Sequence, residues 1–346
     1  MYQKIFNKIV FVSLLILVWK NALFAQVNAD SLRIINNALQ MIAFPEPEFN
    51  SPFIGFPGPK EIADLGFEQP NTSQVVSYSM RDGIKIHGQK YSYSSDKTVL
   101  LLHGVLSSGY TFNKMSGLLR DVLQAEIIAI DLRGHGQSGG RAGDISTLNQ
   151  YAEDLDDIIT AIRKDKPHQI IILAGHSMGG GIILRHAETF PQTKVGGYLL
   201  FSPNLGINAP TTNHNMDLQN NFVKTHIARG LGLSMLNTFG IHRYDSLKVV
   251  FYNLPEQMPV RSYSYRSMQA SFPQDYREAL RIIEEPLLLL AGGADEVFVA
   301  EEYPLVVHSY SQGECYVIEG ETHNGIRHNS EAMERIRSWA IKNQLR

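Results

Sequence analysis

The sequence predicts an α/β fold, a mostly parallel central sheet flanked by helices and interrupted by a helical cap insertion. Three observations predict it. Short, continuous apolar runs recur at 98–102, 126–130, 169–173, 197–201, 286–290 and 315–318, the pattern of strands buried on both faces. Amphipathic stretches of helical length separate most of them, such as 151–163, which carries Leu155, Ile158, Ile159 and Ile162 on one side. Strand and helix in alternation give a parallel sheet covered on both faces. Finally, 75–80 and 84–91, joined by Arg81-Asp82-Gly83, read as an antiparallel hairpin at the start of the sheet.

The segments follow in order. Residues 1–25 have a short basic start, Lys4 and Lys8, an apolar run from Ile9 to Trp19, then Lys20 and a small residue at Ala25. A run of that length falls short of the roughly 20 residues that span a bilayer. It reads as a secretory signal peptide cut after Ala25, so the chain is expected to be exported, periplasmic or secreted; an uncleaved membrane anchor is the alternative. Residues 26–74 form an N-terminal helix and a Pro/Phe-rich arm. Leu32, Ile35, Leu39 and Ile42 recur at helical spacing, and Pro45, Pro47, Pro52, Pro57 and Pro59 then forbid regular helix or central strand. Phe44, Phe49, Phe53 and Phe56 are too many for a solvated linker, so the arm is expected to lie against the domain, covering core or bordering a substrate entrance. Residues 75–346 form the main domain. Its alternation breaks at about 206–280, which has no strong strand run and reads as the helical insertion.

Composition narrows the function. The chain has 346 residues, 44% hydrophobic and 19% charged, which excludes wholesale disorder. Its formal charge is −3 and falls to −6 when the three lysines of the leader are removed; no basic stripe is present for nucleic acid, and none is expected as a partner. The single cysteine, Cys315, cannot form an internal disulfide or a multi-thiolate zinc site, and its neighbours Tyr316-Val317-Ile318 point to a core position. The twelve histidines contain no His-Glu-x-x-His helix, and no glycine fingerprint opens the helix after the first parallel strand. No metal and no cofactor are expected.

The chemistry gathers at the predicted strand ends. The 169–173 run leads into Gly175-His176-Ser177-Met178-Gly179-Gly180, followed by a helical stretch. A serine on that tight turn is strained and exposed at the sheet edge, and the following helix points its positive end at the site. Ser177 is the predicted nucleophile. It needs a base, held by an acid, in the order Ser, Asp or Glu, then His. Asp295 follows the 286–290 strand, with Glu296 as a rival acid; His323 follows the 315–318 strand, and His328 lies nearer the final helix. The backbone N–H groups of Met178 and Val105 are the predicted oxyanion donors. His103, first in the loop after 98–102, is a rival base or a brace for the turn.

These residues resemble an α/β-hydrolase, of the group that contains monoacylglycerol lipases, lysophospholipases and serine aminopeptidases. The motifs are His103-Gly104, Asp131-Leu132-Arg133-Gly134-His135-Gly136-Gln137-Ser138-Gly139, Gly175 to Gly180, Gly292-Gly293-Ala294-Asp295 and Gly320-Glu321-Thr322-His323. The likeness covers about residues 75–343. It implies that the Asp131–Gly139 stretch is a structural loop, with no catalytic part for His135. The departure lies after His103-Gly104, where monoacylglycerol lipases continue with Glu-His and an Arg-Tyr pair; this chain has Val105-Leu106-Ser107-Ser108-Gly109-Tyr110 instead. The expected function is hydrolysis of acyl esters, lysophospholipids or monoacylglycerols among them, through an acyl-enzyme, with transient contact to a membrane surface. A serine aminopeptidase and a catalytically silent lipid-binding protein are the alternatives. In the insertion, Phe222, Leu231, Leu233, Met235, Leu236 and Phe239 could line an acyl tunnel or pack the core; Asp217, Asp245, Glu256, Asp275 and Glu278 could hold a substrate ammonium.

Overall fold

The computed structural model describes residues 30–51, 62–63, 65–214 and 221–346; the leader, Phe53, Phe56 and Asp217 lie outside them. An eight-stranded sheet runs in the order β1-β2-β4-β3-β5-β6-β10-β11. The strands are β1 Gln74–Ser79, β2 Lys85–Tyr91, β3 Lys97–Leu102, β4 Glu126–Ile130, β5 Ile170–His176, β6 Gly197–Phe201, β10 Leu287–Gly292 and β11 Glu314–Ile318. The pairs β1/β2 and β2/β4 are antiparallel and the rest parallel. The six apolar runs are the six parallel strands, and the hairpin opens the sheet as expected.

Because side chains alternate along a strand, each run feeds two cores. Leu100, Leu102, Leu173, Leu200 and Leu289 pack on one face with Leu155, Ile158 and Ile159 of α3 (Gln150–Asp165), Ile182 and Ile183 of α4 (Met178–Thr189), and Val306 and Val307 of α8 (Tyr303–Tyr310). Val99, Leu101, Ile172, Leu199 and Leu288 pack on the other with Met115 and Leu119 of α2 (Asn113–Leu123) and Ile336 and Trp339 of α9 (Ser330–Lys342). Both faces are therefore dry, which is what an all-apolar strand requires. Cys315 is less buried than its sequence suggests. It lies on β11, the sheet's last strand, and is half-buried; burial still pushes its thiol up to about 12.

Between β6 and β10 comes the insertion. It carries helices α5 (Ile227–Thr238), α6 (Tyr265–Gln269) and α7 (Tyr276–Arg281), but also three strands, which corrects the purely helical expectation. β7 (Val223–Thr225), β8 (Lys248–Tyr252) and β9 (Ser262–Ser264) form a separate antiparallel sheet. β7 and β9 have only three residues each, too few to show a period, and Pro255 and Pro259 obscure the connection from β8 to β9. Leu233 and Leu236 are fully buried, Phe222 and Met235 pack against the same core, and Leu231 and Phe239 are exposed. Packing, not a tunnel, accounts for the four inward residues.

The first helix, α1, spans residues 30–42 and lies on α5. There Gly232 sits so close to Ala38 that an added Cβ would come within 2.7 Å of the Ala38 carbonyl oxygen. Arg229, buried, donates to the carbonyls of Ile42 (3.3 Å), Phe44 (3.3 Å) and Lys248 (2.8 Å) and pairs with Glu46 at 3.0 Å. Lys224 donates to the Glu48 carbonyl and Asn253 to that of Ser51. The described part of the arm is thus ordered against the insertion. Among the described residues, no helix is long and apolar enough to cross a membrane.

Candidate active site

Ser177 is the single residue between β5 and α4, at φ 54° and ψ −118°. A non-glycine residue held there stores strain of about 1–3 kcal/mol, and the surroundings over-determine it. Its N–H donates to Phe201 (2.9 Å), and its carbonyl accepts from Gly181 (3.1 Å) and Asn204 (3.0 Å). Glycines on either side permit the turn: a Cβ on Gly175 would meet the Gly179 backbone at 2.6 Å, and one on Gly179 would strike the Leu102 carbonyl. Helix α4 begins at Met178, whose N–H, like that of Val105, has no hydrogen-bond partner among the described residues.

Asp295 and His323 meet. Asp295 Oδ2 accepts from His323 Nδ1 at 2.9 Å, while Oδ1 accepts from the backbone N–H groups of Val297 (2.8 Å) and Phe298 (2.9 Å). The carboxylate is fully enclosed. Burial alone would raise its pKa, but the hydrogen bond and charge of His323 with the Phe298 N–H hold it below the usual carboxylate range. Glu296 occupies a different position: its Oε2 accepts the backbone N–H of His323 at 3.0 Å. The two carboxylates therefore fix the imidazole at its ring and at its backbone.

His176 completes the packing, and sequence reasoning passed over it. Its Nε2 donates to the His323 carbonyl at 2.8 Å, and the two rings lie 4.6 Å apart. Burial, then the neighbouring His323, drives the His176 pKa well below its ordinary value, so it is a neutral donor. Phe298 also stands edge-on to His323, with ring centroids 5.4 Å apart. The Ser177 hydroxyl makes no hydrogen bond to His323 among the described residues; such contacts commonly tighten only when substrate is bound. The only forward signal for His176 was its place beside the serine.

His103 and His328 have other places in the fold. His103 Nε2 accepts the Leu132 N–H (3.0 Å), which leaves Nδ1 to donate to the Gly104 carbonyl (2.7 Å). Burial lowers its pKa to about 4; it braces the turn and does not approach Asp295. His328 closes the short turn Gly325–Arg327 ahead of α9, and burial lowers it to about 3. Among the described residues, no group of His, Cys, Asp or Glu is placed to hold a metal ion.

The family described as serine aminopeptidase, S33 matches residues 93–328. The chain belongs to that family. The S33 match begins just before β3 and ends just after His323, so it contains every site residue above. Among curated proteins, the chain is 29% identical over 123 residues to protein phosphatase methylesterase 1 of Bos taurus, covering 36% of this chain and 31% of that one. It is 37% identical over 129 residues to a monoacylglycerol lipase of Mycolicibacterium smegmatis, covering 35% and 44%. The aligned part thus spans about a third of the first curated relatives' length. The fold is that of the esterase Pf2001 of Pyrococcus furiosus (TM-score 0.53, 20% identity, 84% of this chain and 98% of that one). It is also that of Est1E of Butyrivibrio proteoclasticus (TM-score 0.55, 16% identity, 78% and 100%). This S33 protein is an α/β hydrolase by fold.

Proposed function

We propose that this S33 protein is an exported serine esterase that cleaves acyl esters, of the lysophospholipid or monoacylglycerol class, through Ser177, His323 and Asp295. One observation carries the reading: a strained serine follows β5, a buried Asp–His pair follows β10 and β11, and His176, beside the serine, is bonded to the His323 carbonyl. A carboxylate only accepts, so His323 carries its proton on Nδ1 and keeps a lone pair on Nε2. Nε2 takes the Ser177 proton as Oγ attacks the ester carbonyl carbon. The negative oxygen accepts from the N–H groups of Val105 and Met178, the latter at the positive end of α4. The imidazolium returns the proton to the departing alkoxide, leaving an acyl-serine. Water, activated by the same imidazole, releases the acid and restores the serine. Asp295 orients the ring and balances its charge.

The family's description favours a second reading, a serine aminopeptidase. Such an enzyme needs a carboxylate for the substrate's ammonium, and the insertion's carboxylates are largely engaged. Asp245 accepts from Asn237 (2.8 Å) and His242 (3.2 Å), Asp275 pairs with Arg277 (2.8 Å), and Glu278 with Arg281 (3.1 Å). The deciding assay offers nitrophenyl esters of graded acyl length beside aminoacyl nitroanilides, with Ser177→Ala as control. Ester turnover exceeding anilide turnover, abolished in Ser177→Ala, is the expected result; the reverse preference makes it an aminopeptidase. Lipid binding with neither activity would make it a silent binding protein. Export predicts a mature protein whose N-terminal residue is Gln26.

A further inference from the structure

The two oxyanion donors proposed above are held very differently. The Met178 N–H is fixed by the first turn of α4, whereas Val105 lies in a loop with no regular structure. Two side chains pin the peptide planes on either side of Val105. The plane that carries its N–H also carries the Gly104 carbonyl, which accepts from His103 Nδ1 at 2.7 Å. The next plane carries the Leu106 N–H, which donates at 2.8 Å to the hydroxyl of Tyr263, a residue of β9 in the insertion.

The direction of each bond around Tyr263 is forced. His135 Nδ1 faces the Arg133 carbonyl at 3.0 Å and must donate to it; burial, then His103 nearby, lowers the His135 pKa to about 3, so the ring is neutral. Its Nε2 is then an acceptor, and the Tyr263 hydroxyl, 2.8 Å away, donates to it. That leaves the phenol oxygen free to accept from Leu106. Tyr263 has no exposed surface, so no water substitutes for either bond. Leu106 itself sits at φ 60°, a conformation that a leucine leaves unless it is held.

We propose that Tyr263 is a positioning residue: with His135 behind it, it ties the insertion to the loop that aims the Val105 N–H at the developing oxyanion. The inference rests on the esterase reading. A donor that acts on the oxyanion is felt in the transition state and not in substrate binding. Tyr263→Phe is therefore expected to lower kcat on a nitrophenyl ester at least tenfold with KM within about twofold, and to weaken a trifluoromethyl ketone by the same factor. Leu106→Gly adopts φ 60° without strain, and in the Tyr263→Phe background it should restore part of the lost kcat. A purely structural role would not be rescued there. If Tyr263→Phe does not fold, His135 carries the test. His135→Gln keeps an acceptor for the phenol and should retain kcat, while His135→Leu should lower it at unchanged KM. Wild-type kcat in Tyr263→Phe or His135→Leu, or a loss confined to KM, overturns the inference and leaves the esterase reading standing. Ester hydrolysis that survives Ser177→Ala overturns both.

Discussion

Asp295→Asn separates the two neighbouring carboxylates and tests the charge arrangement around His323. The structure dictates how the amide must sit. Oδ1 of Asp295 accepts two backbone N–H groups, from Val297 at 2.8 Å and Phe298 at 2.9 Å, so the asparagine keeps its carbonyl oxygen there. Its NH2 then faces His323 Nδ1, 2.9 Å away, and can only donate. Nδ1 becomes an acceptor, the ring proton moves to Nε2, and the imidazole loses the lone pair that would receive the serine proton. The flipped amide would preserve the ring but leave two buried donors unpaired, at about 2 kcal/mol each. Together that is about 4 kcal/mol, a population near one in a thousand, which sets the residual activity. A loss of about 10³- to 10⁴-fold in kcat on nitrophenyl butyrate is expected, with little change in melting temperature. Glu296→Gln still accepts the His323 N–H through its amide oxygen and should stay within about threefold of the parent. Asp295→Asn activity within tenfold of the parent, or a larger loss in Glu296→Gln, would refute the assignment.

Two further outcomes follow from the buried polar groups. His103 and His135 are neutral in the fold, with pKa values lowered from 6.5 to about 4 and about 3, so the unfolded chain binds more protons below pH 6.5. Stability is complete above that value and falls as pH drops toward 4, by about 3 kcal/mol for His103 alone; urea midpoints at pH 7 and pH 5 should differ clearly, and equal midpoints would contradict these neutral states. Arg229→Met removes four contacts that tie residues 42–46 and β8 to α5, and leaves the Ile42, Phe44 and Lys248 carbonyls without it. Losing three hydrogen bonds to carbonyls should cost about 3 kcal/mol and bring protease cleavage between 43 and 51 under conditions where the parent is resistant; an unchanged cleavage pattern would mean that the arm is held elsewhere.

What could be read from the chain depended on how local its cause was. Each parallel strand announces itself within five or six residues, since burial on both faces demands an unbroken apolar run. The Asp295–His323 pair was equally legible because the connection order of the sheet places the ends of β10 and β11 side by side, in the register Gly292 to Ile318. Glu296 could not be separated from Asp295 by spacing; the turn that aims one carboxylate at a ring nitrogen and the other at a backbone N–H exists only in three dimensions. β7 and β9 were invisible because three residues carry no period. The depth of Cys315 was misjudged for a related reason: Tyr316-Val317-Ile318 specify a strand, but nothing within them says that it is the last one in the sheet. The arm's prolines and phenylalanines predicted order, while its partner surface depends on Arg229, far away in sequence.

The insertion is tied on both sides by directional polar contacts, which bears on how rigidly Tyr263 is held. On its outer side, Arg229 joins α5 to the arm and to the carbonyl of Lys248 in β8. On its inner side, Lys248 Nζ donates to the carbonyls of Ala142 and Gly143 (2.9 Å each), and Ser264 N–H donates to Gly143 at 2.8 Å. Arg266 pairs with Asp144 at 2.8 Å. β9 is thereby stapled to the loop region that follows β4, and Tyr263 is its central residue. An insertion fastened only by apolar contact could slide by a fraction of an ångström at little cost. This one is fastened by directional bonds, so a shift of β9 would have to break several part-buried polar contacts, at about 1 kcal/mol apiece. A displacement of β9 should therefore be felt at Leu106, whose N–H donates to Tyr263, and through it at the neighbouring Val105 peptide.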